Sequence, residues 1–181
     1  LPYDVVHMLN RYFTLAAEPV LNNNGFIDKY IGDAVMLFFG DPDSKGVKED
    51  ARSCVEMALQ MQEQMRILGR RWKDRGFDTP FVIRIGINTG YCNVGNFGSE
   101  QRLSYTIIGG EVNVAQRLES NAEPGGILLS YETYSHVKHL FKAEEKPSVH
   151  LKGITREIKT FALRERIESA QEALQWSHPA G

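Results

Sequence analysis

Hydrophobic residues recur along the first part of the chain at two spacings, one typical of helices and one typical of strands. From Pro2 onward, apolar positions recur every three or four residues up to the stop signal Asn22-Asn23-Asn24-Gly25, which predicts an amphipathic helix. Two runs rich in β-branched and aromatic residues follow, Phe26 to Ile31 and Ala34 to Phe39, separated by Gly32-Asp33. Because a two-residue Gly-X loop commonly joins antiparallel strands, this pattern predicts a hairpin.

The next segments continue the alternation of helix and strand. Helical spacing predicts a second long helix from about Lys48 to Lys73. Phe81 to Asn88 and Tyr91 to Phe97 predict a second strand pair that turns around Thr89-Gly90, and Leu103 to Ile108 predicts a further short strand. The predicted order up to this point is helix, hairpin, helix, strand pair and strand.

The remaining elements complete an α/β (α+β) pattern. The sequence predicts a helix from Val112 to about Ala122, a strand from Ile127 to Ser130, a helix from Tyr131 to Leu140, and closing strands at Val149 to Leu151 and Glu157 to Leu163. This order favours a ferredoxin-like, antiparallel-rich sheet with helices packed on it. We expect one domain over residues 1–163 and a helical or disordered tail over residues 164–181.

Net charge and cysteine content limit the kinds of partner and the cellular location that we expect for this chain. The chain has 181 residues, 42% of them hydrophobic, and a formal charge of -2 from 21 basic and 23 acidic residues. Such a charge provides no field that would gather nucleic acid or an anionic membrane, so we expect no nucleic-acid partner and no membrane contact from this segment. Cys54 and Cys92 form no disulfide or zinc pattern, which favours a reducing, cytoplasmic location. The start at Leu1 suggests a piece of a longer, soluble or membrane-anchored, polypeptide.

The hairpin contains the first candidate functional residues. A rigid carboxylate at its tip, Asp33, with Lys29 four residues earlier, could bind a metal or position a phosphate ester. Taken alone, Asp33 fits an ordinary turn aspartate better, because Asp and Gly form turns for conformational reasons.

A second candidate follows the glycine pair Gly109-Gly110. Asn113 and Arg117 stand four residues apart on the predicted helix and therefore share one face. An amide that orients a hydroxyl and a guanidinium that takes up phosphoryl charge suit phosphoryl transfer. Spacing alone favours a solvated polar face, since Asn and Arg are common on helix surfaces.

Three stretches taken together closely resemble the class III nucleotide cyclase catalytic domain. They are IDKYIGDAVMLFFG, RIGINTGYCNVGNFGS and YTIIGGEVNVAQRLES, and the resemblance runs from Leu1 to about Leu163. It implies a nucleoside triphosphate bound at a homodimer interface, with two Mg²⁺ or Mn²⁺ ions held by two aspartates of one subunit. The partner subunit would supply the residues that recognise the base and stabilise the transition state.

The resemblance also implies roles for individual residues. Asp33 matches the second metal aspartate, and Asn113 and Arg117 match the pair that orients the ribose and stabilises the pentavalent phosphorus. Lys152, in VHLKGI, matches the lysine that binds the terminal phosphates. This assignment depends wholly on the family, because a lone lysine at the end of a strand is usually solvated.

The base-recognition positions favour ATP. Lys29 matches the lysine that reads adenine, and Thr106 stands where many members have an aspartate, as in an adenylate cyclase subgroup. An ammonium can donate to adenine N1, whereas guanine carries a proton there and would need an acceptor such as Glu. The implied activity is therefore an adenylate cyclase that makes 3',5'-cyclic AMP and pyrophosphate.

One family feature is not found in this sequence. Members begin with a strand ending in a pattern like F-x-D-I-x-G-F-T, which carries the first metal aspartate, and this sequence starts beyond it. Asp4, inside the first predicted helix, is no convincing substitute. We expect the missing strand to precede this segment. A catalytically silent cyclase-like domain that senses nucleotide or dimerises, and a guanylate cyclase, remain alternatives.

Overall fold

The computed structural model describes residues 19, 23, 25–31, 34–40, 44–76, 82–99, 102–151 and 156–168. The side chains of residues 27–31, 99 and 102–108 are excluded from that description. The predicted first helix lies almost wholly outside the described residues, apart from Pro19, which is helical and buried. The chain divides into two compact units, Leu1–Val82 and Ile83–Gly181, which are described separately below.

The first unit contains the predicted hairpin. Strands β1 (Phe26–Ile31) and β2 (Ala34–Phe38) pair antiparallel, which confirms the prediction. Phe26 and Phe38 lie opposite each other, and their rings stack with centroids 4.8 Å apart. The register shifts between Ile27 and Lys29, so a bulge interrupts β1 just before the lysine.

The same unit contains helix α1 (Val47–Asp74), which confirms the second predicted helix to within a residue at each end. Asp50 lies in the first turn of the helix, and its carboxylate accepts hydrogen bonds from the Ser44 hydroxyl (2.5 Å) and the Lys45 backbone N–H (3.2 Å). Acidic residues in the first turn and basic residues in the last complement the helix dipole. Its buried stripe consists of Ala51, Val55, Glu56, Met57, Ala58, Met61, Gln62, Met65, Leu68 and Trp72.

The second unit alternates strands and helices. In chain order it contains β3 (Ile85–Ile87), β4 (Asn93–Ser99), β5 (Arg102–Ile108), α2 (Gly110–Asn121), β6 (Ile127–Ser130), α3 (Tyr131–Val137), β7 (Phe141–His150) and β8 (Glu157–Arg166). Four of these strands form a sheet in the order β3-β6-β8-β7. The β3/β6 pair is parallel, and the pairs β6/β8 and β7/β8 are antiparallel.

The predicted pairing of Phe81–Asn88 with Tyr91–Phe97 is wrong. β3 pairs with β6, and β4 pairs antiparallel with β5 in a separate two-stranded ribbon. Side chains between β3 and β4 bond to the helices of this unit. Asn88 donates to Glu111 on α2, and the Thr89 hydroxyl lies 2.9 Å from that of Thr133 on α3.

The two helices described in this unit pack on opposite faces of the four-stranded sheet. Leu128 and Ala162 are paired in register and belong to one buried cluster with residues of α2. Leu129 and Phe161 are the next pair, so their side chains point to the other face, where Phe161 stacks on Tyr134 of α3 at 4.3 Å. α2 therefore packs on the face that contains Leu128 and Ala162, and α3 packs on the face that contains Phe161.

Strands β7 and β8 are longer than predicted. β7 starts at Phe141, whereas the sequence predicted a strand only from Val149 to Leu151. The prediction was too short because charged residues and Pro147 interrupt the alternation of apolar and polar residues in this strand. The register shifts between Lys146 and Val149, which accommodates the proline in a strand at the end of the sheet order. β8 runs past the predicted end at Leu163 to Arg166, while residues 169–181 lie outside the described residues, so the tail stays a prediction.

Candidate functional site

Helix α2 presents Asn113 and Arg117 on its exposed side, one turn apart. In the part of the chain that the structure describes, neither side chain has a hydrogen-bond or ion-pair partner. Each directly precedes a fully buried residue, Val114 and Leu118, and both of these belong to the core cluster on the sheet. Buried neighbours thus hold the helix in place, and the amide and the guanidinium lie on its exposed side.

Close packing holds α2 against the sheet at β3. A Cβ built on Gly86 would lie 2.2 Å from the backbone nitrogen of Glu119 and 2.5 Å from the backbone oxygen of Ala115. Only a residue without a side chain lets the helix backbone approach the strand this closely. The position of α2 is therefore set by backbone contact as well as by apolar side chains.

The first turn of α2 is held by a polar network that the sequence analysis did not identify. Asn88 Nδ2 donates to the Glu111 carboxylate Oε2 (2.6 Å) and backbone oxygen (3.0 Å). Arg156 Nη1 donates to Glu111 Oε1 (2.5 Å), and its Nη2 lies 3.4 Å from Glu132 Oε1 on α3. An acidic residue in a helix first turn is common, so the sequence alone gives no signal for these distant partners.

The contacts of this network shift the pKa values of Glu111, of Arg156 and of the nearby Cys92. Burial raises the pKa of the Glu111 carboxyl, but the hydrogen bonds from Asn88 and Arg156 and the charge of Arg156 outweigh burial and hold the pKa below its ordinary value. The hydrogen bond to Glu111 raises the pKa of Arg156. Burial, followed by the charge of Glu111, raises the pKa of the nearby Cys92 thiol. Glu111 is therefore a carboxylate at neutral pH.

The strand directions bring several chain segments to this end of the sheet. β3 and β6 end here, β7 ends here at His150, and β8 begins here, with His150 opposite Glu157. Leu151 and Arg156 flank the segment that carries Lys152. Lys152 itself lies outside the described residues.

The other predicted site residues are only partly described. Thr106 lies in β5 opposite Gly95, and Lys29 lies in β1 opposite Met36 in the other unit; the backbone of each is described, without its side chain. Asp33 lies outside the described residues. Within the described ranges, no three His, Cys, Asp or Glu side chains are grouped so that they could hold a metal ion. Asp33 offers the carboxylate oxygen that Mg²⁺ prefers, so its residue type fits the predicted metal.

A family model described as "Adenylate and Guanylate cyclase catalytic domain" matches residues 1–165. The chain belongs to the class III nucleotide cyclases. This finding confirms the family indicated by the three sequence stretches. The match covers both units and includes α2 with Asn113 and Arg117.

Solved structures of cyclases resemble this cyclase domain closely. The crystal structure of the adenylyl cyclase CyaB from P. aeruginosa has a TM-score of 0.87 at 44% identity, covering 90% of this chain and 83% of that one. The guanylyl cyclase Cya2 has a TM-score of 0.84 at 31% identity, covering 93% of this chain and 84% of that one. These similarities confirm the predicted fold class.

One curated relative is much longer than this chain. Adenylate cyclase 1 of Rhizobium meliloti (strain 1021) is 32% identical over 154 residues, which are 84% of this chain and 23% of that relative. The chain thus spans about a quarter of the relative that it matches. Of the helices that the structure describes, none combines the length and apolar character that crossing a membrane requires.

Proposed function

We propose that this cyclase domain converts ATP to 3',5'-cyclic AMP and pyrophosphate. The observation that carries the proposal is the pair Asn113 and Arg117, exposed and without partners among the described residues on a helix fixed by Val114 and Leu118. Phosphoryl transfer depends on positioned polar and cationic groups, and an exposed amide and guanidinium on a packed helix can supply them. Membership of the cyclase family supports nucleotide cyclisation as that transfer.

In the proposed reaction the ribose O3' forms a bond to the α-phosphorus, and the bond from that phosphorus to the pyrophosphate oxygen breaks. The hydroxyl proton is released together with pyrophosphate. Asn113 holds the ribose so that O3' faces the phosphorus, and Arg117 donates to the equatorial oxygens as negative charge builds up on them. Lys152 binds the terminal phosphates and so stabilises the leaving group.

The proposal includes two divalent ions, Mg²⁺ or Mn²⁺. When bound, such ions neutralise phosphate charge and favour the ionised 3'-hydroxyl. In this chain Asp33 would hold them through its carboxylate.

We further propose a homodimer with two shared sites. Asp33 would serve the metals of one half-site, whereas Lys29, Thr106, Asn113, Arg117 and Lys152 would serve the half-site of the partner. A monomer would then contain two incomplete halves and would be inactive.

Two residues support ATP as the substrate. Lys29 offers an ammonium donor for adenine N1, and Thr106 offers a hydroxyl that can both donate and accept. The higher identity to CyaB (44%) than to Cya2 (31%) supports the same choice. Guanylate cyclase is the second candidate, because Cya2 nevertheless shares nearly the whole fold.

The test is a paired turnover assay with ATP and GTP on the protein expressed from its complete reading frame, in Mg²⁺ and in Mn²⁺. We expect cyclic AMP as the main product, and we expect Lys29→Glu to lower the ratio of ATP to GTP turnover. A wild-type preference for GTP would refute the assignment of Lys29. Absence of both products would favour a silent nucleotide-sensing or dimerisation domain.

A further inference from the structure

Asn88 directly follows β3 and bonds to the first turn of α2. Its Nδ2 atom donates to the backbone oxygen of Glu111 (3.0 Å) and to the carboxylate Oε2 of the same residue (2.6 Å). We propose that Asn88 is a positioning residue for the cyclase reaction, because it fixes where the helix that carries Asn113 and Arg117 begins. This inference rests on the proposed function.

The segment of β3 contacts α2 at two points along the helix. At Gly86, a Cβ would lie 2.2 Å from the Glu119 nitrogen and 2.5 Å from the Ala115 oxygen. Asn88, two residues further along the chain, meets the helix at Glu111. A helix rises about 1.5 Å per residue, so the two contacts are roughly 6–12 Å apart along its axis. Two separated contacts resist tilting of the helix, whereas a single contact would act as a pivot.

The proposed reacting groups lie between these two contacts. Asn113 follows Glu111 by two residues, and Arg117 precedes Glu119 by two. Val114, which is fully buried in the core cluster, holds the same part of the helix against the sheet. Loss of the Asn88 contact should therefore displace the first turn of α2 without unfolding the helix.

The role of Asn88 depends on the donor of its amide. Both Glu111 atoms that face Nδ2 are hydrogen-bond acceptors, which fixes the orientation of the amide. The Oδ1 atom of the same amide is buried and accepts no hydrogen bond within the part of the chain that the structure describes. A carboxylate at this position has nearly the same shape, so Asn88→Asp keeps the packing and replaces the donor by a charge that repels Glu111.

Glu111 is itself held by other contacts. Arg156 Nη1 donates to its Oε1 atom at 2.5 Å. Gly90 lies close to the side chain, because a Cβ at that position would come within 2.4 Å of Glu111 Cγ. A hydrogen bond to a carboxylate that is held on several sides fixes position, whereas a bond between two mobile side chains does not.

Asn121 provides a matched control at the other end of α2. Its Nδ2 atom donates to the backbone oxygen of Arg117 at 2.7 Å. The acceptor lies one turn earlier in the same helix, so this bond does not determine where the helix lies on the sheet. Asn121→Asp therefore removes the same kind of donor and makes the same change in charge.

The experiment compares Asn88→Asp, Asn88→Ala and Asn121→Asp in the protein expressed from its complete reading frame. Steady-state kinetics with ATP are combined with amide hydrogen exchange of a peptide that covers residues 109–116, at a temperature at which circular dichroism shows every variant to be folded. We expect both changes at Asn88 to lower kcat about tenfold or more, with a smaller effect on KM, because small displacements of positioned groups are costly. Exchange in the peptide should rise. Asn121→Asp should match the wild type in both measurements.

A reversed pair tests the contact directly. When Asn88→Asp is combined with Glu111→Gln, the new amide can donate to the new carboxylate, and the total charge of the pair equals that of the wild type. The double variant should recover at least about threefold in kcat over Asn88→Asp alone, because residues in contact show non-additive effects. No recovery, or equal kcat for Asn88→Asp and Asn121→Asp, would overturn the inference.

Failure of the proposed function gives a different result. A wild-type protein that forms neither cyclic AMP nor cyclic GMP refutes the proposed activity, and hydrogen exchange still tests whether Asn88 holds the start of α2. Unchanged exchange in Asn88→Asp would then refute the positioning, whereas raised exchange that the reversed pair lowers again would support it. Should Asn88→Asp alone not fold, Asn88→Ala is compared with Asn121→Ala by the same criteria of kcat and exchange.

Discussion

Gly86 of β3 lies in direct contact with the backbone of Glu119 on α2: a Cβ on the glycine would come within 2.2 Å of the Glu119 nitrogen. Glu119 follows the fully buried Leu118, so the contact lies beside the core-facing side of the helix. The glycine thus fixes the depth of the helix that carries Asn113 and Arg117.

This contact predicts the effect of Gly86→Ala. The methyl group must push α2 away from β3, because the obstructing atoms belong to the backbone and cannot rotate aside. We expect a loss of about 1–3 kcal/mol in the free energy of unfolding, measured by urea denaturation. Gly69→Ala is the control, since a Cβ there meets nothing within 4 Å. Equal stability of Gly86→Ala and the wild type would contradict the close packing.

Asn113→Ala and Arg117→Ala should separate activity from stability. Both side chains are exposed and have no partner among the described residues, so the free energy of unfolding should change by no more than about 0.5 kcal/mol. Cyclic AMP formation should fall by about a hundredfold or more, because a positioned group that stabilises the transition state is lost. Gln116→Ala, also exposed on α2, is the control for activity. A large loss of stability in either variant would point to a structural role instead.

Shared active sites predict complementation between inactive variants. Asp33→Ala damages the proposed metal half-site, and Asn113→Ala damages the proposed transition-state half-site. In a mixed dimer one of the two sites combines both intact halves, so mixing the two inactive proteins should restore activity, up to about half of the wild-type rate per heterodimer. The measurement is cyclic AMP formation against mixing ratio. No recovery in a mixture shown to contain heterodimers would rule out the shared-site arrangement.

The Glu111 network predicts a pH-dependent contribution to stability. The pKa of Glu111 is lower in the folded protein than its ordinary value of 4.5. The contribution is therefore complete above that ordinary value and is lost as the pH falls through the lower pKa of the folded state. We expect Glu111→Gln to be less stable than the wild type at pH 7, and the difference should shrink below the ordinary pKa.

Denaturant unfolding of the two proteins across this pH range measures the difference directly. Glu119→Gln is the control, because Glu119 is exposed on the same helix and has no ion pair among the described residues. A stability difference between Glu111→Gln and the wild type that stays constant with pH would show that the charge of the Glu111 carboxylate does not stabilise the fold.

Local pattern was sufficient to predict several elements. The hairpin β1/β2 and helices α1 and α2 follow from spacing and turn residues that lie within a few positions of one another. The family could also be identified from sequence, because its motifs are long and ordered, and the matching family model confirms it. Within each element and each motif, the residues that determine it are close together in the chain.

Sequence patterns alone therefore predicted helices α1 and α2, the hairpin and the cyclase family. Tertiary structure decided that β3 pairs with β6 and that β7 begins at Phe141. It also decided that Arg156 and Asn88 meet at Glu111. The physical reason is sequence separation: hydrophobic periodicity reports how one segment folds, whereas strand partners and ion pairs join segments that are far apart in the chain and meet only after the sheet has formed.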